Sequence, residues 1–92
     1  MSPANPDEEL TVAADCTLDA FGLVCPLPII KTSQKLQEME PGQVLEVIAD
    51  DEMIIEDMPA WCQVTGNVFL GYKEEEGELK VYVRKEATKP SR

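Results

Sequence analysis

Apolar and polar positions change rhythm several times along this chain, and each change marks an element. Over residues 14–19, Cys16 and Leu18 alternate with Asp15, Thr17 and Asp19, the period of two that belongs to a strand. Phe21 and Gly22 carry a turn. Ile29, Ile30, Leu36 and Met39 then recur at helical spacing, which predicts a helix from about Pro26 to Glu38, stopped by the turn pair Pro41-Gly42. Residues 43–49 are apolar on both faces except at Glu46, so this strand is expected inside the sheet. After the acidic Asp50-Asp51-Glu52, the positions Ile54, Ile55, Met58, Trp61 and Cys62 are again helical in spacing. Pro59 falls among them and predicts an interruption: a short turn from Asp51, then a main helix starting near Pro59. Gly66-Asn67 is expected to close it in a left-handed cap. Residues 68–74 and 78–85 read as two strands joined at Glu75-Glu76-Gly77, with Leu79, Val81 and Val83 alternating against Lys80, Tyr82 and Arg84. The order βαβαββ predicts an α/β (α+β) fold: a two-layer sandwich in which a four-strand mixed sheet carries two helices on one face.

Composition agrees with one small domain. The chain has 92 residues, 43% of them apolar, enough for a single core. Residues 1–9 and 87–92 are polar, charged and proline-containing and read as disordered tails around a domain at 10–86. No stretch is long enough to span a bilayer, and residues 1–10 lack the basic and apolar regions of a secretory signal. Three cysteines, an odd count, favour a reducing compartment over a disulfide framework. The expected location is therefore cytoplasmic. Eighteen acids against eight bases leave a formal charge of −10, which opposes direct binding to nucleic acid or an anionic membrane and favours basic protein surfaces.

The chemistry concentrates at Gly22-Leu23-Val24-Cys25-Pro26-Leu27-Pro28. Proline is accepted in a first helical turn, where its missing N–H would have been unpaired. The residue before a proline is pushed out of the helical region. Cys25 is thus expected as the N-cap, with Pro26 at N1, Leu27 at N2 and Pro28 at N3. The N–H groups of Leu27 and Ile29 would then face an anion at the positive end of the helix. The chain has no histidine, so Cys/His pairs and histidine acid–base chemistry are excluded. Activation of Cys25 must come from the helix end or from a cation such as Lys31. A helix N-terminus is worth roughly 0.3–2 kcal/mol to a charge, enough to move a thiol from about 8.5 to about 7.

The run Leu18-Asp19-Ala20-Phe21-Gly22-Leu23-Val24-Cys25-Pro26-Leu27-Pro28 resembles the signature of the TusA/SirA-like sulfur-carrier family, with its Cys-Pro-x-Pro motif. The likeness continues through Pro41-Gly42, Ile48-Ala49-Asp50-Asp51, Met58-Pro59-Ala60-Trp61-Cys62 and Thr65-Gly66-Asn67. It implies a βαβαββ sandwich and a cytoplasmic sulfurtransferase whose Cys25 accepts sulfane sulfur as a persulfide and relays it to an acceptor cysteine. Pro26, Pro28 and Gly22 would position that thiol. The partners implied are a sulfur donor of cysteine desulfurase or rhodanese type and a sulfur-acceptor protein, with no cofactor and a monomeric chain. Met53, Ile54, Ile55 and Glu56 depart from the basic or small residues common in the family after the Asp-Asp corner, and Asn67 stands where histidine is frequent.

Cys62 is weighed as a secondary thiol against a small buried residue on the inner face of its helix, and the buried reading is preferred. Cys16 follows the alternation of its strand and is read as structural. The acids 50–57 lack a calcium-loop pattern, and helix-start electrostatics account for them, so no metal is expected. Two other readings stay open. One is a regulatory or adaptor module using the Cys-Pro-Leu-Pro corner for docking. The other is a thiol–disulfide oxidoreductase, weakened because Pro28 stands where a C-x-x-C motif needs cysteine.

Overall fold

Strand β1 (Cys16–Asp19) lies parallel to β2 (Val44–Ala49), with Cys16 opposite Leu45 and Asp19 opposite Ile48. A parallel pair needs a crossover, and helix α1 (Leu27–Gln37) provides it. Helix α2 (Met53–Thr65) then carries the chain to β3 (Val68–Glu75), and β4 (Glu78–Arg84) returns antiparallel between β2 and β3. The sheet order is β1-β2-β4-β3. β2 is bonded on both edges, inside the sheet as its sequence suggests. The computed structural model describes residues 14–24 and 26–86; the expected tails at 1–9 and 87–92, and Cys25 itself, lie outside the described residues.

The core forms where the two helices lie on one face of the sheet. Leu45, Val47 and Ala49 of β2 and Leu79, Val81 and Val83 of β4 turn inward against Leu36 of α1 and Ile54, Met58 and Cys62 of α2. The opposite face has its own order. Tyr82 is buried there and its hydroxyl donates to Glu46 Oε2 at 2.8 Å, while Thr17 Oγ1 donates to Glu46 Oε1 at 3.1 Å. Glu46 faces Thr17 on one side and Tyr82 on the other in the strand register, so the lone polar residue of β2 ties three strands together. Burial first, and then the Glu46 hydrogen bond, push the Tyr82 hydroxyl pKa above its ordinary value.

Three expectations are corrected. Helix α2 runs unbroken through Pro59 rather than starting near it. The proline costs about 3 kcal/mol inside a helix. Burying Ile54 and Met58 completely returns about 1.5–3 kcal/mol each, before Cys62, one turn further along the same face, is counted. Tertiary packing therefore overrides the local breaker. Second, the apolar spacing does not mark the buried face: Ile30 is exposed, and α1 buries Pro28, Thr32 and Leu36, a spacing of four. The buried register includes a threonine, which an apolar count passes over. Thr32 Oγ1 has no hydrogen-bond partner among the described residues. The third correction concerns the start of α1 and belongs to the site. Elsewhere the expectations hold: Gly66 closes α2 in the left-handed region at φ 86°, its N–H and that of Asn67 both donating to Cys62 O. The β3–β4 hairpin turns at Glu76-Gly77, with φ 52° and 84°, the pair of positive angles that matches the twist of the strands.

Candidate functional site

The loops after β1 and β2 leave the sheet side by side, at the carboxyl ends of two parallel strands. This is the position at which open α/β sheets place their chemistry. The first loop leads from Asp19 to α1 and contains the Cys25 motif; the second is the Asp50-Asp51 corner before α2.

Helix α1 begins one residue later than the sequence suggests. Pro26, with φ −98° and ψ 15°, is the N-cap; Leu27 is N1 and Pro28 is N2. Its carbonyl accepts the first helical bond, from Ile30 N–H at 3.0 Å. The expected N-cap role of Cys25 is thereby displaced to the residue before the cap. A proline fixes φ near −65° only loosely, and its ψ here lies outside the helix, so Pro26 can end the turn as well as begin the helix. The Leu27 N–H does not face outward as expected, since it donates to Val24 O at 2.9 Å. Pro28 is fully buried, which anchors the first turn to the core.

The loop ahead of the cap is tied at nearly every step. Ala20 N–H donates to Ile48 O at 2.7 Å, and Leu23 N–H to Ala20 O at 3.2 Å. Phe21 N–H donates to Asp19 Oδ1 at 3.1 Å and Gly22 N–H to Asp50 Oδ1 at 2.9 Å. Gly22 takes φ 89°, a left-handed angle that a side chain would strain. Ala20 is completely buried and Leu23 packs against the core, whereas Phe21 and Val24 are exposed, by 50% and 64%. Leu27 and Ile30, one turn apart on α1, are exposed as well, and so is Met53 at the start of α2. An apolar collar therefore stands in water on both sides of the motif. Exposed apolar side chains gathered about a motif suit a contact surface. Of the apolar residues Phe21, Leu23, Val24 and Leu27 around the motif, Leu23 alone turns inward. Nothing in the local pattern marks Ile30 as a surface residue, whereas Met53 falls among the departures after the Asp-Asp corner.

Of the cations near the motif, Lys31 is exposed and in no ion pair among the described residues. Cys62 sits on the inner face of α2 with 1% of its surface accessible, and burial pushes its thiol up to about 11. Cys16 is half-buried on β1 and packs against the core. No group of three or more potential metal ligands occurs among the described residues. None of their helices is long and apolar enough to cross a membrane. The tethers from Asp19 and Asp50 were not anticipated; an acid at the end of each parallel strand is the signal that could have found them.

Residues 16–85 match the family described as Sulfurtransferase TusA. The sulfur carrier protein TusA of Allochromatium vinosum is 44% identical over 71 residues, covering 77% of this chain and 93% of that protein. TusA of Pseudomonas entomophila is 41% identical over 73 residues, 79% of this chain and 91% of that protein. Two further relatives, from Aquifex aeolicus and Bacillus subtilis, are 43% and 40% identical, but the chain spans only 42% and 39% of their length. Among solved structures, a SirA-like protein of Desulfitobacterium hafniense superposes with a TM-score of 0.68 at 28% identity, over 78% of this chain and 99% of that one. With the family match spanning residues 16–85 and relatives above 40% identical over nearly their whole length, this chain belongs to the TusA sulfurtransferase family.

Proposed function

We propose that this protein is a sulfur carrier that accepts sulfane sulfur as a persulfide on Cys25 and relays it to an acceptor cysteine on a partner protein. The observation that carries the reading is the placement of the motif. It lies in a tightly tied loop at the carboxyl ends of the parallel strands, running into the N-terminus of α1 and flanked by exposed Phe21, Val24, Leu27 and Ile30. In the first step the Cys25 thiolate attacks the terminal sulfur of a donor persulfide. A new S–S bond forms at Cys25 while the donor's S–S bond breaks and its thiolate leaves. In the second step an acceptor thiolate attacks the terminal sulfur, the bond to Cys25 breaks, and the Cys25 thiolate is restored. Electrons balance across the two exchanges, so neither step calls for a metal or an organic cofactor. Pro26, Pro28 and Gly22 hold the loop, and Lys31 and the helix end favour the thiolate.

The donor is of cysteine desulfurase or rhodanese type, met in the cytoplasm by a monomeric carrier. Both partners present apolar surface to the collar and basic surface to the acids at 50–57. Cys62 stays outside the relay, because a buried thiol with its pKa pushed up to about 11 is neither accessible nor ionised at neutral pH. Intact mass after incubation with a desulfurase and cysteine tests the reading. One added sulfur on the wild type, absent from Cys25→Ser and present on Cys62→Ser, is the expected pattern. An unmodified wild type with a functional Cys25→Ser would favour the adaptor reading instead.

A further inference from the structure

We infer that Asp50 is the positioning residue of the Cys25 loop: its carboxylate, through the Gly22 N–H, fixes the turn three residues ahead of the thiol. The inference rests on the proposed role of Cys25, and it concerns a residue whose burial gives it no other task. Asp50 is exposed, and it pairs with no cation among the described residues. Its Oδ1 nevertheless accepts from Gly22 at 2.9 Å, across 28 positions of sequence. The N–H groups of Ala20 and Leu23 go to backbone carbonyls, and that of Phe21 to the neighbouring Asp19. Among the described residues, Asp50 is therefore the only side chain from another segment that holds this loop. It is a firm post, since it directly follows β2, the strand bonded on both edges. Gly22 in turn sits at φ 89°, an angle set by the turn and open to neighbouring alternatives for a residue without a side chain. A glycine hinge ahead of a nucleophile needs an external restraint, and the Asp50 oxygen supplies it. A carboxylate's negative charge does nothing to favour a thiolate, so the geometry of the acceptor, rather than its charge, is what the loop uses.

Two variants separate these contributions. Asp50→Asn keeps an oxygen acceptor and removes the charge; Asp50→Ala removes both. Three readouts are taken at neutral pH: hydrogen exchange at the Gly22 amide, the rate of Cys25 alkylation by iodoacetamide, and the rate of sulfur loading from a desulfurase persulfide. Asp50→Ala is expected to melt near the wild type, to exchange Gly22 faster, and to slow both alkylation and loading roughly five-fold, the size of one net hydrogen bond. Asp50→Asn is expected to exchange Gly22 as slowly as the wild type and to match or exceed it in alkylation and loading. Wild-type alkylation in Asp50→Ala would overturn the inference, and so would Asp50→Asn being as slow as Asp50→Ala. If Asp50→Ala lost its fold, Asp50→Glu, which displaces the carboxylate by one methylene, would carry the same comparison. Should the wild type fail to load sulfur, the carrier reading falls, while the alkylation and exchange results still decide whether Asp50 positions the loop.

Discussion

The three cysteines share a side chain and differ in everything that surrounds it. Cys62 lies in the core at 1% exposure, and desolvation raises its pKa from the ordinary 9.0 to about 11. Cys16 is half-buried in an edge strand. The residues on either side of Cys25 in sequence, Val24 and the helix cap Pro26, are exposed. Limiting iodoacetamide at neutral pH should therefore label Cys25 first and Cys62 last, as read by peptide mapping; preferential labelling of Cys62 would contradict the assignment. A pH effect follows as well. A thiol whose folded pKa is raised gives stability that is whole below the unfolded pKa and is lost as pH rises toward the folded one. Unfolding free energy should accordingly fall between pH 9 and 11, by roughly 3 kcal/mol from this group, and Cys62→Ala should flatten that slope in denaturant titrations.

At the scale of elements, the prolines of α1 are not equivalent. Pro26 is an exposed cap, and Pro28 is a fully buried N2 residue. Pro26→Ala should leave stability near the wild type. Pro28→Ala should cost about 1–2 kcal/mol for lost buried ring carbons. Both should fold, since alanine is a good helix former, and both should slow sulfur transfer by loosening the cap; unchanged transfer in both would reduce the prolines to punctuation. On the other face of the sheet, Tyr82→Phe leaves Glu46 with one partner fewer and should lower stability by about 1–3 kcal/mol, with sulfur transfer unaffected. A kinetic defect in Tyr82→Phe would link the two faces in a way their geometry gives no reason for.

For the whole molecule, charge and apolar contact act over different distances. A formal charge of −10 steers association with basic partners, and that steering is screened over about 8–10 Å at physiological ionic strength. The collar acts only on contact. The rate of sulfur transfer from the donor should therefore decline from low to moderate salt, while Leu27→Ser should weaken binding at every salt concentration by a similar factor. A flat salt profile together with indifference to Leu27→Ser would remove both parts of the docking surface.

Local pattern and turn chemistry determined most of the fold by themselves. Period-two strands, the both-sided apolar run of β2, the left-handed close at Gly66 and the Glu76-Gly77 hairpin depend on neighbours in sequence, and neighbours in sequence are all that a pattern contains. The Cys-Pro-Leu-Pro run was legible for the same reason. Tertiary structure decided what depends on distant partners. It carried α2 through Pro59, because the burial of Ile54 and Met58 outweighs a missing hydrogen bond. It turned Thr32 inward and Ile30 outward, because helix register answers to the sheet beneath. It also joined Asp50 to Gly22, since only the parallel pairing of β1 with β2 brings residues 28 positions apart within reach of one hydrogen bond.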